Sequence, residues 1–330
     1  MAAEFNWEQI LAAHDRIKTQ VNVTPVITSH YFNQQTGCRI YMKAENFQKT
    51  GSFKARGALN AVLSLQDREQ IGSGVITHSS GNHGQALAWA AQTTGVPCTV
   101  VVPDNAPKVK LDAIRHYGAS LVPCQASMEA RVATCERLAR ENGAVIVHPH
   151  DNLDVMAGQG TMAKELLGQI THHLDAVIVP TGGGGLLAGI ATWFAHASPS
   201  TKVFAAVPAA KQLEPSLRAG RPLWEGQPHL VETLADGMRP DRIGHHCFPP
   251  IARYCQKEVF QVTDEELVRT MKMSWERLKV VLETSTAIAL AALFQPRLRE
   301  VLGPGEHRIA VILCGGNVDL DHLPWIPAPP

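Results

Sequence analysis

Four short stretches of this 330-residue chain bring together residue types that bind anions or move protons. The first is Thr50-Gly51-Ser52-Phe53-Lys54, followed by a helix-like run over residues 55–65. A lysine normally favours the carboxyl end of a helix, because the dipole at the amino end repels a cation. At the start of a helix capped by Ser52, Lys54 gives up its charge more readily, as a Schiff-base amine must. Taken alone, a solvated lysine beside a turn explains it as simply. The second stretch, His78-Ser79-Ser80-Gly81-Asn82-His83-Gly84, follows an apolar run and precedes a helix-like segment over 85–92. A polar, glycine-containing loop at the end of a parallel strand is where such folds place ligands. The alternative is a hydrogen-bonded turn that opens the helix.

The third stretch is Gly182-Gly183-Gly184-Gly185, between an apolar run and the helix-like segment 186–194. Four glycines there expose successive backbone N–H groups at a positive helix end, a cradle for phosphate. Gly183, Gly185 and Ala188 also fit a dinucleotide fingerprint, which requires an acidic residue at the end of the next strand. The segment 202–208 ends Ala206-Val207-Pro208 and supplies none, and no phosphate-loop motif ending in Gly-Lys-Ser/Thr occurs. A monophosphate ligand meets these tests better than NAD or ATP. The fourth stretch, Cys314-Gly315-Gly316-Asn317, ends an apolar run, although a buried cysteine acting as a small hydrophobe is also common. The pairs His148/His150, His172/His173 and His245/His246 lack helical metal-ligand spacing with a third ligand, so no metal site is expected.

The elements that position these loops follow from periodicity. Strands are predicted over 39–44, 74–78, 99–102, 120–122, 144–147, 176–179, 202–207 and 308–313, several as continuous apolar runs. Helical stretches lie between them, as over 129–142, where Val132, Cys135, Leu138 and Ala139 recur at helix spacing. Such alternation predicts an α/β fold with parallel sheets and right-handed crossovers. The segment 208–250 reads as loops around the site, and 324–330 as a proline-rich tail. The chain length fits two domains or one large α/β unit.

Composition narrows the function. Thirty basic residues cancel thirty acidic ones, which leaves no footprint for nucleic acid or an anionic membrane and favours a small-molecule partner. Seven scattered cysteines (Cys38, Cys98, Cys124, Cys135, Cys247, Cys255 and Cys314) form no Cys-x-x-Cys pair. The amino-terminal residues lack the pattern of a secretory signal, and no apolar run suits a membrane span, so a cytoplasmic enzyme with reduced thiols is expected.

In order, the motifs TGSFK, SSGNHG, GGGG and CGGN resemble the fold-type II pyridoxal-phosphate (PLP) enzymes, and most closely the serine racemase and serine/threonine dehydratase family. The resemblance runs from about Thr24 to Asp319 and is densest in ENFQKTGSFKARGALNAV (45–62) and THSSGNHGQALAWAA (77–91). It implies a two-domain, tryptophan synthase β-like fold, with a large PLP-binding domain over 1–70 and 153–330 and a small domain over 71–152. It also implies a homodimer acting on an amino acid.

The resemblance assigns roles by position. Lys54 would carry PLP and act as base on one face of the substrate Cα, and Ser80 on the other. Phe53 would pack on the cofactor, Asn82 would bond its phenolic oxygen, and Gly182, Gly183, Gly184 and Gly185 would bind its phosphate. Cys314 would partner the pyridine nitrogen. Ser79, Asn82 and His83 match substrate-carboxylate contacts, and Arg131 a further substrate-binding arginine. Lys49, Thr50, Gln85, Tyr117, Lys279, Asn317 and Asp319 match contacts of an ATP effector at a dimer interface, with His30 replacing a serine. The implied activity is β-elimination from serine or threonine to 2-oxo acid and ammonia, with serine racemisation as the companion reaction. A dedicated racemase and a dehydratase of an unusual hydroxy amino acid are the alternatives.

Three departures stand out. Val207 and Leu213, with Lys211 between them, occupy positions matching the family's divalent-cation carboxylates, and Glu214 is the first carboxylate beyond. No metal is therefore expected, and the Lys211 ammonium is expected to replace its charge. His150 stands where the family has asparagine, and Pro240 where it has a substrate-contacting serine.

Overall fold

The computed structural model describes residues 4–326. The first three residues and 327–330, the end of the expected proline-rich tail, lie outside the described residues. Ten strands form two sheets: β1 (Val26–Ile27), β2 (Arg39–Ala44), β3 (Val75–Thr77), β4 (Cys98–Pro103), β5 (Ser120–Cys124), β6 (Val145–Ile146), β7 (Ala176–Pro180), β8 (Lys202–Pro208), β9 (Val259–Val262) and β10 (Arg308–Leu313). One sheet has the order β1-β2-β10-β7-β8-β9, and the other β5-β4-β3-β6. Every pairing is parallel except β1 with β2. The eight expected strands all form. The sequence reading missed β1 and β9, which lie at the two edges of the larger sheet. The segment 208–250 also holds more order than expected, including the helix Glu214–Ala219.

Burial on both faces explains the continuous apolar runs. Along β7, Val177 and Val179 join one core cluster, while Ala176 and Ile178 join another. The first face is covered by the helices Leu153–Gln169 and Gly185–Ala197, the second by Asp264–Leu278 and Thr284–Ala292. β8 and β10 divide their residues in the same way, since successive side chains of a strand point to opposite faces.

Three helices bring the site together through close contacts at glycine. A Cβ on Gly158, in the Leu153–Gln169 helix, would lie 2.6 Å from the Arg56 carbonyl and the Gly57 Cα of the helix Lys54–Asp67. A Cβ on Gly189, in the Gly185–Ala197 helix, would lie 2.5 Å from the Met156 carbonyl. The helix that begins at Lys54 and the helix that begins at Gly185 therefore pack on one shared neighbour.

An almost solvent-free ionic group ties two of these helices, those carrying Arg56 and Glu165, to β2 and the Glu45 turn that follows it. The Arg56 guanidinium, fully buried, donates to both carboxylate oxygens of Glu45 (2.7 and 2.8 Å) and to both of Glu165 (2.7 and 2.8 Å). Lys43, also fully buried, donates to Glu165 at 2.8 Å, to the Thr24 carbonyl at 2.8 Å and to Gln169 at 2.9 Å. Two cations thus balance two carboxylates. Such a group gives little net stability against an apolar replacement, but loss of one member strands a buried charge. Arg56→Met is expected to lower unfolding free energy by about 3–5 kcal/mol, read from denaturant unfolding, with Arg56→Met/Glu45→Gln recovering part of the loss. An unchanged midpoint for the single variant would show that the junction does not depend on these charges.

Candidate active site

Lys54 is the first residue of its helix, so its side chain leaves the chain where the helix dipole is positive. Ser52 does not cap this helix: Phe53 holds the cap position, no side chain bonds there, and the buried Ser52 hydroxyl has no partner. Ser52 is instead drawn into a bridge with Gly315, and the Phe53 N–H donates to the Cys314 carbonyl at 3.0 Å. That pairing joins the TGSFK and CGGN loops side by side. The Lys54 ammonium donates to the Pro149 carbonyl at 2.6 Å and lies 5.0 Å from the centre of the Phe53 ring. Burial pulls its pKa down to about 8, although Cys247, Cys314 and Glu283 oppose the shift.

The four glycines turn from β7 into the Gly185–Ala197 helix. Gly184 holds the cap position at φ +100°, in the left-handed region that favours glycine, and brings no capping side chain. The N–H groups of Gly182, Gly183 and Gly184 have no hydrogen-bond acceptor among the described residues. Their carbonyls are held from behind: Lys211 donates to Gly182 at 2.5 Å, and the Gly244 N–H donates to Gly183 at 3.0 Å. Free donors at the positive end of a 13-residue helix call for an anion.

Asn82 starts the helix Asn82–Thr94, and its carboxamide is fixed from both ends. Its Nδ2 donates to the two Glu283 oxygens at 3.0 and 2.9 Å, and its Oδ1 accepts from Asn317 at 2.8 Å. The sequence reading missed Glu283, which carries no motif. Its only local signal is its place just before an apolar helix, over Thr284–Ala292. Burial raises the Glu283 carboxyl to about 7, against the hydrogen bonds from Asn82. Cys314 Sγ lies 3.8 Å from Glu283 and 3.3 Å from the Thr286 hydroxyl, and burial pushes this thiol well up. Burial thus shifts both groups toward their neutral forms.

Histidines wall the other side. His78 and His148 meet edge to face at 5.5 Å, and His148 and His150 at 4.5 Å. The His150 ring lies over the glycine loop, since a Cβ on Gly183 would come within 2.3 Å of it. Burial lowers the pKa of His78 to about 4 and moves those of His148 and His150 down as well. His83 turns its Nε2 to the Val147 carbonyl at 3.0 Å and is 2% exposed, its Nδ1 has no partner among the described residues, and the Lys54 charge adds to burial in pushing its pKa down. Arg131 donates to the His78 carbonyl at 3.1 and 2.5 Å, and feels the charges of Arg239 and Asp236. Ser79 and Ser80 occupy the bend between β3 and the Asn82 helix and stay partly exposed.

The residues expected at a nucleotide site are only partly brought together. Asn317 donates to the Thr50 carbonyl at 2.8 Å, which links Thr50 to Asn82. Lys279 ends the Asp264–Leu278 helix, Tyr117 packs on His116, and neither bonds to Thr50 or Asn317. Lys49 is exposed, and Gln85 lies one turn into the Asn82 helix. Among the described residues no three His, Cys, Asp or Glu side chains gather as metal donors, and no helix is long and apolar enough to cross a membrane.

The Lys54 environment has a direct consequence. The neutral fraction of this amine rises as pH passes through about 8, whereas an exposed lysine titrates near about 10.4. Acylation of cofactor-free protein, followed by peptide mapping, is expected to reach half its maximal rate at Lys54 near that lower pH. A Lys54 profile matching those of exposed lysines would contradict the burial argument.

The family model for pyridoxal-phosphate dependent enzymes matches residues 17–315. The chain is 43% identical to a serine racemase of Dictyostelium discoideum, with 96% of each chain covered. It is 41% identical to a beta-hydroxyaspartate dehydratase of Paracoccus denitrificans, covering 97% of this chain and 98% of that one. Its fold also matches a crystal structure of a pyridoxal 5'-phosphate-dependent aspartate racemase with a TM-score of 0.94 and 42% identity, over 99% of this chain and 100% of the other. With four motif loops converging on one cleft and matches along nearly its whole length, the chain belongs to the pyridoxal-phosphate dependent enzyme family.

Proposed function

We infer that this enzyme eliminates the β-hydroxyl of a β-hydroxy amino acid as water, and that the enamine released becomes an imine that takes up water to give a 2-oxo acid and ammonia. The observation that carries this reading is the neighbourhood of Lys54: an amine pulled toward neutrality, beside unbonded backbone donors suited to phosphate and a thiol kept neutral. The donor set fits PLP. Gly182, Gly183 and Gly184 would hold its phosphate, Lys54 its aldehyde carbon, and Cys314 its ring nitrogen. When bound, the cofactor supplies an electron sink conjugated to the substrate Cα.

The chain's own residues do the remaining work. Lys54, its amine pulled toward neutrality by burial, would take the Cα proton of a bound amino acid. Asn82, fixed between Glu283 and Asn317, presents its amide without conformational freedom to lose. Cys314, as a neutral thiol, would support a protonated ring nitrogen less than a carboxylate would, so charge left on Cα would be poorly held. Loss of the β-hydroxyl as Cα is deprotonated becomes the easier course. Return of a proton by Ser80 from the opposite face would invert Cα instead, which makes racemisation the companion reaction.

A specific observation favours a dicarboxylic substrate over plain serine. Arg131 lies against the histidine–serine loop, donating to the His78 carbonyl, His150 stands over the glycine loop, and Pro240 supplies no hydroxyl. A second carboxylate on Cβ suits the Arg131 guanidinium, and two of the relatives act by name on aspartate-type substrates. L-serine and L-threo-3-hydroxyaspartate are to be compared at matched concentrations, following 2-oxo acid and the D-enantiomer together. The expected result is mainly 2-oxo acid, a kcat/KM on the order of tenfold higher for the hydroxyaspartate, and selective loss of that preference in Arg131→Ala. Preference for serine with equal losses in Arg131→Ala would refute the dicarboxylate reading. D-amino acid as the main product, lost in Ser80→Ala, would move the activity to racemase.

A further inference from the structure

Lys211 has burial and bonding out of keeping with its charge. It follows β8, is 1% exposed, and its ammonium binds two backbone carbonyls, Gly182 at 2.5 Å and Pro240 at 2.9 Å. No carboxylate comes within ion-pair distance of it among the described residues. Asp241 is the acid whose charge it feels, and that carboxylate is committed to Arg242 at 2.8 Å. Its own carbonyl accepts from Gln261 at 3.0 Å, so the backbone around it is tied down. A buried ammonium met only by carbonyl dipoles pays a desolvation penalty that a nearby anion would relieve.

The identity of the first carbonyl supplies the anion. The Gly182 oxygen and the Gly183 N–H are the two ends of one peptide group, and that N–H is among the unbonded donors of the glycine loop. An ammonium on the oxygen pulls electron density toward it and makes the N–H a stronger donor, since hydrogen bonds in a chain polarise one another. The ammonium also holds the carbonyl away from the cleft, as Gly244 does for Gly183. The bond to Pro240 anchors the segment whose Gly237 carbonyl would lie 2.5 Å from a Cβ on Gly182. The loop is thus pressed from behind by one charged strut.

The geometry points to Lys211 as a positioning residue that acts through the Gly182–Gly183 peptide on the cofactor's phosphate, orienting and polarising the loop that binds it. This rests on the PLP assignment above, but it concerns only how tightly the phosphate is held. Burial, which brings the ammonium's pKa down to about 7, marks how much the site lacks a countercharge before the phosphate arrives.

The test compares PLP with pyridoxal, which lacks the phosphate, as ligands of the cofactor-free protein. Equilibrium binding is measured for wild type, Lys211→Met and Lys211→Arg, and thermal melting for each without cofactor. Lys211→Met is expected to lose at least about tenfold in PLP affinity, with pyridoxal affinity unchanged and a melting temperature at or above wild type. Lys211→Arg, which keeps the charge, is expected to recover part of the loss. Lys211→Gln serves if the methionine variant does not fold. Unchanged PLP affinity, or equal loss of PLP and pyridoxal together with a lowered melting temperature, overturns the inference. Failure of the wild type to bind PLP at all would instead overturn the cofactor assignment.

Discussion

Arg56 sits two residues beyond Lys54 with no solvent contact, and its two carboxylate partners come from different parts of the chain. Glu45 follows β2, and Glu165 belongs to the helix Leu153–Gln169, so the guanidinium pins the first turn of the Lys54 helix to both. Bidentate pairs of this kind tolerate little change of angle, because both donors must stay in the carboxylate plane. The glycine contacts at Gly158 and Gly189 then set the spacing between the Lys54 helix, the shared neighbour and the glycine-loop helix. Direction comes from the charges and distance from the missing side chains. Together they pack the helix that begins at Lys54 and the helix that begins at Gly185 on one shared neighbour, the arrangement that the proposed PLP site would require of an amine and a phosphate cradle.

The surroundings of these helix starts are poor in counter-ions. Lys54 and Lys211 are both pulled down in pKa by burial, His78, His148 and His150 also shift toward their neutral forms, and the acid nearest Cys314 is raised to about 7. Desolvation, rather than any one neighbouring charge, is the leading cause in each case. A site of this kind favours neutral acids and bases and responds strongly to an arriving anion. The same economy appears at Asn82, where Glu283 and Asn317 hold one carboxamide in a single orientation.

Much of this arrangement was legible in the residues. Strands buried on both faces announce themselves as unbroken apolar runs, so β7, β8 and β10 fell within a residue or two of their expected limits. The loops at their ends stood out because glycine and polar residues interrupt those runs. Two edge strands were not legible: β1 and β9 exist because partner strands offer them edges, a property of tertiary context. Ser52 misled for a related reason. Its type suits a helix cap, but pairing with Gly315 uses its backbone and leaves the cap to Phe53. Glu283 was invisible because a single carboxylate before a helix has no signature until Asn82, 201 positions away, is laid against it.

The central claim is that Lys54 is the amine that holds the cofactor. Borohydride reduction of PLP-loaded protein, followed by digestion and mass spectrometry, tests it most directly. The account expects the pyridoxyl mass on the peptide containing Lys54, in stoichiometric yield. The same mass on Lys211 or Lys43, or its absence from Lys54 in protein that has bound PLP, would contradict it.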